Sequence, residues 1–175
     1  FGLDVDFEIT GNSDTSKPEI QSFAIDADTF DVSQSDSTLT VDLDAIDDLS
    51  GIDFIYYRFD SPSNEQSVDG SMFSSGSIDL KNGNALDGFY SRETYIPQFS
   101  EQGIWELGHL EVQDKVGNNR IYDRQDLIDF GLDVDFEITS NNDTTKPEIQ
   151  SFAIDADTFD VSQSDSTLTV DLDAI

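Results

Sequence analysis

Cysteine is absent from this 175-residue chain, which excludes disulfides, thiolate zinc sites and cysteine nucleophiles. Histidine occurs once, which leaves little room for imidazole chemistry. Basic side chains are scarce: 8 Lys and Arg stand against 38 Asp and Glu, a net charge of −30. That balance excludes nucleic acid as a partner, because phosphate binding rests on clustered Lys and Arg. It disfavours an anionic membrane surface for the same reason. No apolar run approaches the ~18 residues a spanning helix needs, so direct membrane insertion is not expected. No signal peptide is visible, but the chain opens inside a repeat, so this says nothing about export. What the chain does have is 13 Phe, 5 Tyr and 1 Trp, with many β-branched residues. Low hydropathy with high charge is the composition of disorder, and this aromatic content opposes it. A packed sheet protein is expected, carrying more negative charge than it can hold without a counterion.

The strongest pattern is internal. Residues 1–46 recur as 130–175, an offset of 129, with 43 of 46 positions identical. The three differences, Gly11/Ser140, Ser13/Asn142 and Ser16/Thr145, fall in one short segment. Near-identity at this level marks a tandem array with a 129-residue period. The variable segment is polar and ends in proline, as a linker does. The reading is therefore a last strand of a preceding repeat at 1–10, a linker at 11–17, a complete domain at 18–139, a second linker at 140–146, and the first two strands of a following repeat at 147–175.

Within that domain the apolar residues alternate with period two, the strand pattern. Strands are predicted at Glu19–Ile25, Ser37–Ile46, Ile52–Phe59, Ser77–Leu80, Phe89–Ile96, Ile104–Val112 and Leu132–Thr139. Asn82-Gly83-Asn84 reads as a turn, and Tyr122–Asp129 as a short helix capped by Asp123 and stopped near Gly131. Seven strands with short turns predict an all-β, antiparallel β-sandwich. Between Gly103 and Asp114 the inward residues would be Trp105 and Leu107, then Leu110 and Val112. The parity flips between the pairs, so Gly108-His109 should hold a β-bulge.

Several local sequences then line up in order: Asp14-Thr15 with Pro18, Asp47-Asp48-Leu49-Ser50-Gly51-Ile52, Ser61-Pro62-Ser63, Pro97 to Gly103, Trp105-Glu106-Leu107 and Asp114-Lys115-Val116-Gly117-Asn118. In this order they resemble the bacterial immunoglobulin-like tandem repeats of large secreted or surface-anchored proteins, adhesins especially. The resemblance covers the whole period. It implies an Ig-like sandwich, an extracellular or bacterial cell-surface location, and calcium at domain junctions.

Enzymatic chemistry is not expected. His109 has no serine or carboxylate placed to work with it. With 38 acids, some pair will satisfy any catalytic spacing by chance. Phosphate loops, metalloprotease motifs and nucleophile elbows are missing. The EF-hand pattern fails as well, since Phe30 and Ile46 stand where third ligands belong.

Topology offers another route to a metal. In such a sandwich the first strand begins, the second ends, and the loop after the sixth sits at one pole. Asp14, Asp47, Asp48, Asp114 and Asn118 should converge there, and Asp143 is the copy of Asp14 at the next junction. Hard oxygen ligands in a cluster suit Ca²⁺. The alternative is that all of these are turn residues. A second acidic group, Asp26, Asp28, Asp31 and Asp36, belongs to the opposite pole, near Asp143. The alternating Asp4, Asp6, Asp42, Asp44, Asp133 and Asp135 read as a solvated sheet face.

The functional expectation is a structural spacer or stalk repeat of an extracellular adhesin or filament, stiffened by calcium. Its partners would be neighbouring identical repeats in the same or adjacent chains. The alternative is a module binding a glycan or protein ligand through Tyr56, Tyr57, Phe89, Tyr90 and Tyr95.

Overall fold

The structure, a computed structural model, describes residues 8–75, 78–132, 134–141, 143, 145–155, 158, 160–162 and 165–175. It divides into two compact units, Phe1–Asp143 and Thr144–Ile175. Asp4, Asp6, Asp133 and residues 1–7 of the first expected strand lie outside the described residues; residues 8–10 are not in a strand.

Alternation builds the first unit. Along β3 (Ser37–Ile46), Leu39, Val41, Leu43 and Ala45 are fully buried, while the residues between them are only partly covered. β3 pairs antiparallel with β1 (Glu19–Ile25) and with β7 (Asp87–Ile96), and β7 with β6 (Leu80–Gly83). A second sheet runs β2 (Thr29–Asp31), β10 (Phe136–Thr139), β8 (Gly103–Asp114), β4 (Ile52–Asp60) and β5 (Ser67–Phe73), with β9 (Asn119–Tyr122) also on β8. In this sheet β2 and β10 run parallel and the remaining pairs antiparallel.

The two sheets share one core, in the layered manner of a β-sandwich. Phe23 of β1 meets Tyr57 and Phe59 of β4 at ring separations of 6.5 and 6.4 Å. Phe59 meets Phe136 at 5.0 Å, and Trp105 stacks on Phe136. Burying each such ring stabilises the fold by roughly 1.5–3 kcal/mol.

The expected bulge is present. Arg58 faces His109, but Phe59 faces Leu107, so Gly108 is the extra residue of β8. The insertion resets the side-chain parity and lets Trp105, Leu107, Leu110 and Val112 all point inward. A β-carbon at 108 would collide with the Asp60 carboxylate. The predicted helix is α1 (Arg124–Asp129), with Asp123 and Asp126 forming a reciprocal capping box and Gly131 at φ +76° beyond its end.

β2, β5 and β9 were not predicted. In β5 the inward positions are Val68, Gly70 and Met72, and the glycine breaks the apolar alternation. Gly70 is there because the Tyr57 hydroxyl occupies the space a side chain would need. The fourth expected strand, whose Ser77 lies outside the described residues, starts at Leu80 and runs through Gly83, so the turn expected at Asn82-Gly83-Asn84 falls between Gly83 and Asp87 instead.

The second unit is a pair of strands, β11 (Ile149–Ile154) and β12 (Val170–Ala174). Phe152 faces Leu172 as Phe23 faces Leu43, and the register shift between Ile20 and Ser22 recurs between Ile149 and Ser151. The same sequence has made the same ladder twice. Phe23 is 4 % exposed and Phe152 is 64 % exposed.

Candidate functional site

The antiparallel pairing of Glu19 with Ile46 brings the segment before β1 to the loop after β3. One carboxylate oxygen each from Asp14, Asp47 and Asp48 lie within 4.8 Å of one another. Two oxygens on one calcium, each about 2.4 Å from the ion, stand no further apart than about 4.8 Å. The spacing fits a shared cation.

Asp47 is the most buried member, at 7 % exposure. Its Oδ1 accepts the amides of Leu49 at 3.2 Å and Gly51 at 2.5 Å, closing the loop. Gly51 holds φ +87°, which favours glycine there. The other oxygen, Asp47 Oδ2, is buried and has no hydrogen-bond partner. A carboxylate oxygen in that state carries a desolvation cost of about 1–3 kcal/mol or more. Asp14 is held by the amides of Ser16 at 3.1 Å and Ser50 at 2.8 Å. The Ser16 hydroxyl donates to Asp48 at 3.0 Å. Of the three positions that vary between repeats, only Ser16 touches the cluster, and its copy Thr145 keeps the hydroxyl. Among the described residues, no lysine or arginine forms an ion pair with the three aspartates. Three carboxylates so close repel by a few kcal/mol per pair at the effective dielectric of a protein surface.

Asp114 lies outside this group of three. Asp114 is fully buried, and accepts from the amides of Val116 at 3.0 Å and Asn118 at 2.8 Å, and from Asn118 Nδ2 at 2.6 Å. Burial pushes its pKa up, but the side chain and amide of Asn118 and the amide of Val116 outweigh that and hold it below the usual range. Asp114 thus locks its own loop. Asn118 Nδ2 also lies 3.4 Å from the Asp14 carbonyl, tying that loop to the segment before β1.

Residues 12–159 match the model of one protein family. The chain belongs to that family, a domain of unknown function (DUF7743). No curated protein and no solved structure matches the chain. The DUF7743 match begins two residues before Asp14 and extends beyond Asp143, so it includes the whole aspartate cluster.

Elsewhere in the DUF7743 domain several of the acids hold local structure. Asp26 accepts the Thr40 amide, Asp31 that of Ser33 and Asp36 that of Gln98. Bonds from the Ser33 side chain and amide lower the Asp31 pKa; the Gln98 amide and then the Tyr95 hydroxyl lower that of Asp36. Asp44 accepts from the Ser22 hydroxyl at 2.6 Å, and Asp135 pairs with Arg124. Asp143 sits at the other end of β3 from Asp47: its amide donates to the Phe99 carbonyl at 3.0 Å. His109 packs on Tyr56, with Glu111 3.5 Å from its Nε2.

Of the five aromatics considered as ligand contacts, Tyr57 and Tyr90 are fully buried in the core. Burial pushes the Tyr90 phenol up to about 12, and its hydroxyl has no partner. Tyr56 and Phe89 are half-buried, and Tyr95 is exposed. They do not form one binding face.

Proposed function

We propose that this chain is part of a structural stalk: a tandem array of Ig-like β-sandwich repeats whose role is length and stiffness, in an extracellular or bacterial cell-surface protein of the adhesin or filament type. The observation that carries the reading is the duplicated ladder. β11–β12 reproduces the pairing of β1 with Val41–Ala45 of β3, register shift included, at an offset of one period. Repetition of a unit with this fidelity supplies length directly. The strand order supports the Ig-like assignment: β1, β3, β7 and β6 take the places of one Ig sheet, and β10, β8 and β4 those of the other.

The cofactor in this reading is Ca²⁺, held by Asp14, Asp47 and Asp48, with Asp114 and Asn118 shaping the loop beside it and Asp143 repeating Asp14 at the next linker. The buried, unpartnered Asp47 Oδ2 is what favours it over a set of turn residues. The partners are identical repeats, in the same chain or adjacent ones. The reading is non-enzymatic; contrary to the expectation from sequence, a carboxylate, Glu111, does stand beside His109, which packs on Tyr56.

Small-angle scattering on two complete repeats tests the stalk directly. A long, narrow particle with calcium is expected; a compact globule under the same conditions would refute the model.

A further inference from the structure

The domain holds the same linker aspartate at each end. On the incoming side Asp14 is held through its carboxylate, by the amides of Ser16 and Ser50, and its carbonyl lies 3.4 Å from Asn118 Nδ2. On the outgoing side Asp143, the same residue one period later, is held through its main chain. Its amide donates to the Phe99 carbonyl at 3.0 Å, and its carbonyl accepts from Gln66 Nε2 at 3.3 Å.

This second seat is itself braced. Gln66 Oε1 accepts the Glu101 amide at 2.8 Å, which aims Nε2 at the linker. Phe99 holds φ +66°, a left-handed conformation that a bulky residue adopts only under constraint. The neighbouring Gln98 amide is fixed on Asp36, and the Phe99 amide lies 3.3 Å from the Val32 carbonyl. On the other side the Ser100 amide lies 3.3 Å from the Pro97 carbonyl, so Phe99 is tied to the body on both sides by bonds that do not involve the linker.

We propose that the Gln66–Phe99 corner is a built seat for the outgoing linker, working through main-chain bonds and independent of any cation. The seat does not rest on reading the Asp14 cluster as a cation site.

Amide hydrogen exchange of the full 175-residue chain, read residue by residue by NMR, separates the two. In EDTA the Asp143 amide should exchange at least tenfold more slowly than its free-chain rate. Gln66→Glu keeps the acceptor for Glu101 but removes the donor, and should abolish most of that protection while the Leu43 amide of β3 stays protected as a folding control. Adding CaCl₂ to the wild-type chain should slow the Ser50 amide and leave Asp143 unchanged. An Asp143 amide that exchanges freely in EDTA, or protection unaltered by Gln66→Glu, overturns the seat. An Asp143 amide protected only after calcium is added overturns its independence. A Ser50 amide indifferent to calcium removes the cation reading and leaves the seat standing.

Discussion

The Gly51 amide donates to Asp47 Oδ1 at 2.5 Å and fixes that carboxylate so that its second oxygen is buried without a partner. The loop after β3 is thus closed at the cost of an unpaired oxygen beside two further aspartates. In the calcium reading, the ion is what the loop is built around.

Asp47→Asn should therefore act in opposite directions with and without calcium. Asparagine keeps an acceptor for Leu49 and Gly51 but removes the charge. In EDTA the variant should melt a few degrees above wild type, a gain of about 1 kcal/mol. Wild type should gain about 2.7 kcal/mol at a hundredfold calcium excess over Kd, and the variant almost nothing. Thermal melts in EDTA and CaCl₂, with NaCl at matched ionic strength, decide it. A shift reproduced by sodium alone would mean diffuse screening.

Acid should weaken the loop that Asp114 holds. Its folded pKa lies below the ordinary carboxylate value, so its stabilisation is fully present above the unfolded pKa near 4 and is lost as pH falls through the folded value. Asp114→Asn should cost about 1–2 kcal/mol at pH 7 and progressively less below pH 4. Urea melts across that range check the convergence; parallel curves would contradict it.

Gly70→Ala should destabilise the domain by about 1–3 kcal/mol, because the new methyl meets the buried Tyr57 hydroxyl. Tyr57→Phe removes that hydroxyl along with its bond to Thr94. The double variant should cost less than the sum of the singles. An additive cycle in urea melts would show that the clash is relieved elsewhere.

Ending the chain at Asp143 should leave the melting temperature of the first unit within about 1 °C of the full chain, since that unit has its own core. Differential scanning calorimetry checks this, and a large drop would show the core to be shared.

The sandwich was legible wherever alternation was clean. β1 and β3 match their predicted bounds, and the parity flip at Gly108 located a bulge without any structure. β5 was hidden because a core position was given to Gly70 to accommodate Tyr57, a contact between two strands that neither strand's pattern contains. At the candidate site, antiparallel pairing was enough to gather Asp14, Asp47 and Asp48. The split in roles was not legible. Whether an aspartate spends both oxygens on its own loop, as Asp114 does, or leaves one unpaired, as Asp47 does, depends on backbone geometry that residue identity does not encode.

The duplicated ladder also bears on assembly. β11 and β12 take up the register of β1 and β3 although their apolar side chains stay exposed, so the instruction for that pairing is local. Sequences identical over thirty residues offer every neighbouring body an equally good opening pair. Nothing in their side chains distinguishes the correct partner from the next one along. Correct pairing in such a chain is therefore governed by order of emergence and tether length, and slow, sequential synthesis protects it better than refolding from denaturant. Refolded multi-repeat chains should carry exchanged strands that freshly made ones lack.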